Sequence, residues 1–417
     1  MTDIMEIQSS VDKWLQTYVN EPPDTQPLTP STSSVRGKRT RDMSEPRIAE
    51  KRRRTAPDDD DLFPDQSASR NERLDLSEKT RLSHPSQSVT LSPIRCLLRD
   101  LRLSKPSILC EIPSAVTLPE RVLALQQSLV DQLEDGLIPV GLKHQILATY
   151  PSIVASIPNS AYDILDTRSG PELDILWSGV EKILKESRKC GINHQDENAW
   201  CTKVIHPVLC LALKGNSMME VENVQTQTIN PDLAPITPMK YRVQKKTDYT
   251  FSFHPNTPEM SQLYENLILA GLQNRISQTT DVNTGSLALF SGIEVKPENG
   301  GKDEALLQLA IWLAAGLQNT RILGETGQNR PYLCDELHPM VGWTVIGHDW
   351  HMYIAYMDNQ NGRDTFKVVG PWRVAAADTR DVYGIFKLLR LLGKAAEFGS
   401  KVYWPWLKEE ILMPCIN

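Results

Sequence analysis

SLALFSGIEVKPENGGKDEALLQLAIWLAAGLQN (286–319) decides the fold. Its first twelve residues read as a strand, ended by Pro297 and a Glu-Asn-Gly-Gly turn. From Lys302 the apolar residues recur at helical spacing and predict a helix over 302–319. On a strand, side chains alternate faces, so Glu294 and Lys296 point one way while Ile293 and Val295 point into the core. Upstream, TDYTFSFH (247–254) is a clearer strand: Tyr249, Phe251 and Phe253 share one face, Asp248, Thr250 and Ser252 the other. MMEVENVQTQTI (218–229) holds a further strand. Before it, DENAWCTKVIHPVLCLALKG (196–215) is a helix buried along Trp200, Val204, Val208 and Leu211, bent at Pro207, with His206 read as a packed core histidine. Downstream, VGWTVIGHDWHMYIAYMD (341–358) supplies two strands broken at Gly347, and TRDVYGIFKLLRLLGKAAEFG (379–399) a last helix. The order from 196 is helix, three strands, helix, two strands, helix, which predicts an α/β or α+β domain around a mixed sheet.

The chemistry-bearing set within this frame is Asp248, Glu294, Lys296 and Gln308. If the strand of Asp248 pairs beside that of Glu294, two carboxylates converge on one hard cation. Waters and phosphate oxygens filling its other positions suit Mg²⁺. Lys296, on the same face, is placed to orient a water or to stabilise charge growing on phosphate. Taken alone, Glu-x-Lys on a half-exposed strand is more often a solvated ion pair. Its place between an Asp-bearing strand and a helix with an inward Gln gives it weight.

These residues resemble the PD-(D/E)XK nuclease superfamily, and within it the fungal nuclease-like branch. The resemblance covers about residues 170–410. It implies a restriction-endonuclease-like αβββαβ core, with Asp248 in KKTDYTF, Glu294 and Lys296 in SGIEVK, and Gln308 in ALLQLAIW as catalytic positions. By the same resemblance Asp248 and Glu294 are metal ligands for Mg²⁺ or Mn²⁺, and Glu197, near the start of the first core helix, is the tentative third. The residue before Asp248 is Thr247, where the signature has Pro. GHDW (347–350) and YWPWL (403–407) look like recurring features of the branch without an assigned role. The activity implied is metal-dependent hydrolysis of phosphodiester bonds in nucleic acid; the alternative is a nuclease fold kept as a binding, scaffold or regulatory module without catalysis.

Around this domain, read as 170–417, the chain divides in two further parts. Residues 96–169 predict a helical extension, with Leu118–Tyr150 as a helical pair. Residues 1–95 hold nine of the 28 prolines and three aromatics, too little apolar surface to offset ordering, and are read as a disordered tail. Two basic clusters in it, carried by Lys38, Arg39, Arg41 and by Lys51, Arg52, Arg53, Arg54, are spaced like a bipartite nuclear import signal. They predict an import carrier as partner and the nucleus as location. A phosphate-gripping arm and a solvated charge run are the alternatives, and the run Asp58–Asp61 offsets phosphate attraction. Ile4, Ile7, Val11, Trp14, Leu15 and Tyr18 recur at helical spacing, either a docking helix for a protein partner over 4–18 or a transient helix on the tail.

Composition sets the outer limits. The net charge is −7, and from residue 96 on there are 30 basic and 36 acidic residues, so this is no polycation. Lys240, Arg242, Lys245 and Lys246, just ahead of Asp248, are read as phosphate contacts or as a solvated loop. No apolar run long enough to span a membrane occurs, and MTDIMEIQSS lacks the features of a secretory signal. Seven scattered cysteines, none spaced as CxxC, argue against disulfides or a zinc ribbon and for a reducing intracellular compartment; Cys201 and Cys210 are read as small packed hydrophobes. His348 and His351 lack a third ligand and are read as structural. GETGQNR (324–330) lacks the ending of a phosphate loop. Trp343, Trp350, Trp404 and Trp406 are read as core rather than base-stacking platforms.

Overall fold

Strands β1 (Ser107–Glu111), β2 (Met219–Asn223), β3 (Tyr249–Phe253), β4 (Gly292–Lys296), β5 (Met340–Ile346), β6 (Asp349–Gln360) and β7 (Arg363–Val369) form one sheet in the order β1-β7-β6-β5-β4-β3-β2. The two-residue strands Ala288–Leu289 and Ala377–Asp378 attach to β3 and β6. β4 and β5 run parallel, as do β1 and β7; the other neighbours on the path are antiparallel. The structure is a computed structural model and describes residues 93–154, 157–360 and 362–416. The basic clusters, Ile4–Tyr18 and the tail as far as residue 92 lie outside the described residues, and the fold is that of the unit Pro85–Asn417.

The longer helices are α1 (Pro93–Leu101), α2 (Glu120–Val130), α3 (Gly170–Ile192), α4 (197–212), α5 (Pro258–Leu267), α6 (Lys302–Gln328) and α7 (Val382–Phe398). Helix α4, strands β2, β3 and β4, helix α6 and strand β5 follow in the αβββαβ order expected from the sequence, with helix α5, absent from that reading, inserted between β3 and β4. Parallel strands need a long crossover, and α6, 27 residues, provides it between β4 and β5. It docks where the sheet floor is flat. Gly292 and Gly342 pair across β4 and β5. A Cβ on Gly292 would lie 2.7 Å from Trp312 Cδ1, and one on Gly342 2.8 Å from Leu309 Cδ1. Only glycine lets the helix approach so closely. The Trp312 indole N–H donates to the Ser291 carbonyl at 2.8 Å, so the docked ring leaves no buried donor unpaired.

Burial runs deeper than the patterns alone imply. β3 alternates apolar and polar residues, yet all five are buried. Phe253 packs 4.8 Å from Trp404, and the Tyr249 hydroxyl donates to the Cys201 carbonyl at 3.1 Å. On the alternate positions, the Thr250 hydroxyl donates to Ser291 O and that of Ser252 to Glu222 Oε1. Hydrogen bonds thus replace water along the polar face. Trp343, Trp350 and Trp404 are buried in the core, and the half-buried Trp406 ring lies tilted against His338 with centroids 4.7 Å apart.

Four sequence readings need correction. Segment 96–169 contributes β1 to the sheet edge besides its helices. Helix α1 starts at Pro93, so residues 93–95 of the stretch read as tail are helical. His206 and Cys210 are exposed rather than packed. Trp200, Cys201, Val204, Ile205, Val208 and Leu209 are the buried face, and at helical spacing His206 and Cys210 fall on the opposite one. Finally, Glu294 and Lys296 do not lie on a half-exposed strand: all of β4 is buried.

Candidate active site

At the junction of β3 and β4 the ladder is reduced to one pair, Tyr249 with Ile293. One residue before it, Asp248 lies across from Glu294, its N–H donating to Ile293 O at 3.0 Å. The strands part there, and the Val295 N–H, freed from a strand partner, donates to Asp248 Oδ2 at 2.7 Å. Asp248 Oδ1 accepts from Gln225 Nε2 at 2.9 Å. The carboxylate is therefore clamped between the backbone of the neighbouring strand and a side-chain amide.

Glu294 is 1% exposed, and its Oε1 lies 2.8 Å from Lys296 Nζ. That contact is an ion pair outside hydrogen-bond geometry, and Oε1 accepts no hydrogen bond among the described residues. Lys296 Nζ also donates to Glu197 Oε2 at 2.9 Å. Glu197 opens helix α4 behind the N-cap Asp196, whose carboxylate accepts from the Ala199 N–H. The capped helix end thus delivers Glu197 over the strand ends.

Three acids share one ammonium, so the fully ionised cluster carries −2. Burial pushes the Asp248 carboxyl up to about 6, against the hydrogen bonds from Val295 and Gln225 that favour its charged form. Burial, then the neighbouring Asp248 carboxylate, holds Glu294 well above the usual carboxylate range. For Lys296, burial works against the charge, but Glu294 and Glu197 outweigh it and hold the ammonium charged. Burial and the surrounding acids, Asp248 first, also push the Cys201 thiol far up.

Glu294 Oε1 is a buried oxygen whose one close partner is the Lys296 ammonium, beside a second buried carboxylate, in a cluster short of two positive charges. Hard oxygen donors in that state fit a divalent cation. Among the described residues no group of three or more His, Cys, Asp or Glu forms a ready metal cage. Two acids suffice for a cation of the Mg²⁺ kind, which keeps waters or takes phosphate oxygens in its remaining positions.

The other expected residues take different places. Gln308 does not touch the acids; its Nε2 donates to the Lys246 carbonyl at 3.3 Å, bracing the segment that enters Asp248. Glu197 meets Lys296 rather than Asp248 or Glu294. Arg242 is engaged by Asp232 and Pro231 O, while Lys240 and Lys246 are exposed and Lys245 half-buried. His348 is buried, 3.0 Å from the Thr379 hydroxyl and edge-on to Trp200, and Asp349 is paired with Arg380. Gln225 is the residue sequence reasoning missed. It follows β2 in a stretch read as strand, and no local pattern announces a contact made 23 positions away.

No helix among the described residues is long and apolar enough to cross a membrane. A family profile, the PD-(D/E)XK nuclease superfamily, matches residues 156–404. Comparison with curated proteins and with solved structures gives no match.

Proposed function

The chain belongs to the PD-(D/E)XK nuclease superfamily, and from that premise we propose that it hydrolyses phosphodiester bonds of nucleic acid at Asp248, Glu294 and Lys296 with Mg²⁺ or Mn²⁺. The observation that carries this reading is the buried pair of acids with an ammonium 2.8 Å from the second, short of two positive charges. Asp248 and Glu294 would hold the divalent cation, which would supply Lewis-acid chemistry at the phosphate. Lys296, fixed between Glu294 and Glu197, offers its charge to the phosphate as negative charge grows there. Glu197 holds that ammonium in place. Gln308 braces the approach to Asp248, and Lys245 and Lys246 on that approach bind flanking phosphates.

The test is incubation of the full chain with single- and double-stranded DNA and RNA, with Mg²⁺, Mn²⁺ or a chelator. Cleavage is expected with cation only, and to fall by at least about 10²-fold in Asp248→Asn. Intact substrates under every condition would instead favour a nuclease-fold scaffold. That second reading draws on the acidic excess of the chain from residue 96 on, since duplex binding rests on Lys and Arg.

We also place this activity in the nucleus, on the two basic clusters around Lys38 and Lys51. A fluorescent fusion of the full chain is expected to concentrate in nuclei. Replacing Lys51, Arg52, Arg53 and Arg54 by alanine should spread it through the cell. Unchanged nuclear signal in that variant would refute the role of the second cluster, and exclusion of the wild-type fusion from nuclei would refute the location.

A further inference from the structure

We propose that Gln225 is a positioning residue for Asp248, itself held by Asn223, and that this pair of amides sets the affinity of the site for a divalent cation. The inference rests on the reading of Asp248 and Glu294 as cation ligands and goes beyond it, because neither amide belongs to the acid–ammonium set.

The geometry begins at the end of β2. Asn223 is its last residue, and the chain then turns: the Val224 N–H donates to the Asp248 carbonyl at 2.9 Å and the Gln227 N–H to the Val224 carbonyl at 3.0 Å. The turn lays Gln225 over the carboxylate. Two bonds between Asn223 and Gln225 fix the arrangement. The Gln225 N–H donates to Asn223 Oδ1 at 3.1 Å, and Asn223 Nδ2 donates to Gln225 Oε1 at 3.2 Å. With its oxygen facing a donor, the Gln225 amide has only its NH₂ group to turn inward. That group donates to Asp248 Oδ1 at 2.9 Å and to Cys201 Sγ at 3.2 Å. The reverse orientation would set Oε1 against a carboxylate oxygen and Asn223 Nδ2 against an NH₂, so electrostatics select one state.

The consequence for Asp248 is a fixed carboxylate plane. Val295 N–H holds Oδ2 from the strand that carries Glu294, and Gln225 holds Oδ1 from the turn that follows β2. Each oxygen keeps a lone pair for a cation. Without Gln225 the carboxylate keeps one anchor and gains freedom to rotate about it, which a bound cation must then remove. Outer partners of metal-ligating groups act in this way, and their loss costs about 10–100-fold in metal affinity. The Cys201 contact ties the same amide to helix α4, which carries Glu197, so the clamp joins three elements of the site.

The experiment titrates the metal-free full chain with Mn²⁺, reading free and bound ion by electron paramagnetic resonance, in wild type, Gln225→Leu and Asn223→Ala. Thermal unfolding of the same metal-free samples runs beside it. We expect the Mn²⁺ dissociation constant to rise about 10–100-fold in Gln225→Leu, and less in Asn223→Ala, with metal-free unfolding close to wild type in both. Asn223 is exposed, so its variant keeps the proposal testable should Gln225→Leu not fold. Wild-type affinity in both variants would overturn the positioning role and leave the two acids as ligands. No Mn²⁺ binding by the wild type would overturn the reading of the acids, and the positioning role with it.

Discussion

Glu294→Gln is expected to abolish cleavage and, in metal-free protein at pH 7, to raise stability. The two effects share one cause. Glu294 is buried, faces Asp248, and is held well above the usual carboxylate range despite Lys296 beside it. Because its upward shift includes the attraction of Lys296, the net effect of ionising it in the fold is a penalty. The sign follows from linkage. Both acids are pushed upward, so the folded state keeps their protons to higher pH than the unfolded chain. Stability then falls as pH rises, for Asp248 from 3.8 to about 6, and for Glu294 from its ordinary value upward. Glutamine carries no proton to lose, so Glu294→Gln removes that acid's share of the slope. We expect a gain in stability at pH 7 that fades as pH falls into the ordinary carboxylate range. Mn²⁺ should stabilise the wild type and flatten its slope, since it binds the ionised acids, but not the variant. Cleavage should drop by about three orders of magnitude, the loss of a cation's contribution of about 4 kcal/mol. Denaturant melts from pH 4 to 8 with and without Mn²⁺, and cleavage assays, read both effects. A variant less stable than wild type at pH 7 would show that Glu294 is an ordinary structural ion-pair partner.

Lys296→Met is expected to do harm on both counts. The thioether matches the stem of lysine but removes the one cation shared by Glu294 and Glu197. Stripping one partner from a buried pair leaves an uncompensated charge and costs about 3–5 kcal/mol. The loss should shrink at low pH, where Glu294 takes up a proton and no longer needs the ammonium. Cleavage should fall by about 10²–10³-fold, the usual effect of removing one charge-stabilising donor. Adding Mn²⁺ should recover part of the stability, because a cation offsets the same acids, but not the cleavage. Melts at pH 5 and pH 7.5 beside rate measurements check this; equal stability at both pH values together with normal rates would remove Lys296 from the site.

Much of the architecture was legible in the sequence, for identifiable reasons. β3 announces itself because its residues alternate strictly, and α6 because it is apolar over 302–319, although the helix runs on to Gln328. Asp248, Glu294 and Lys296 could be placed on one side because alternation along a strand is strict. The strand Arg363–Val369 was hidden by Lys367, a charge at a buried position, paired with Asp358 at 2.9 Å and 3.8 Å from Glu111. Its partner Ser107–Glu111 is five residues long and announces no pairing, because its neighbour in the sheet lies some 250 residues on. The burial of β4 was misjudged because a Glu-x-Lys pattern looks the same whether water or another side chain satisfies it. Gln225 escaped because its role depends on a tertiary contact, whereas the outward place of His206, opposite the buried face of its helix, follows from the spacing and was misread.

The most direct test of the central claim is diffraction from crystals of the full chain soaked in Mn²⁺, with anomalous scattering used to locate the ion. The account predicts one strong peak within coordination distance of a carboxylate oxygen of Asp248 and one of Glu294, absent in Glu294→Gln. A wild-type map with no peak there, at Mn²⁺ concentrations that support cleavage, would contradict it.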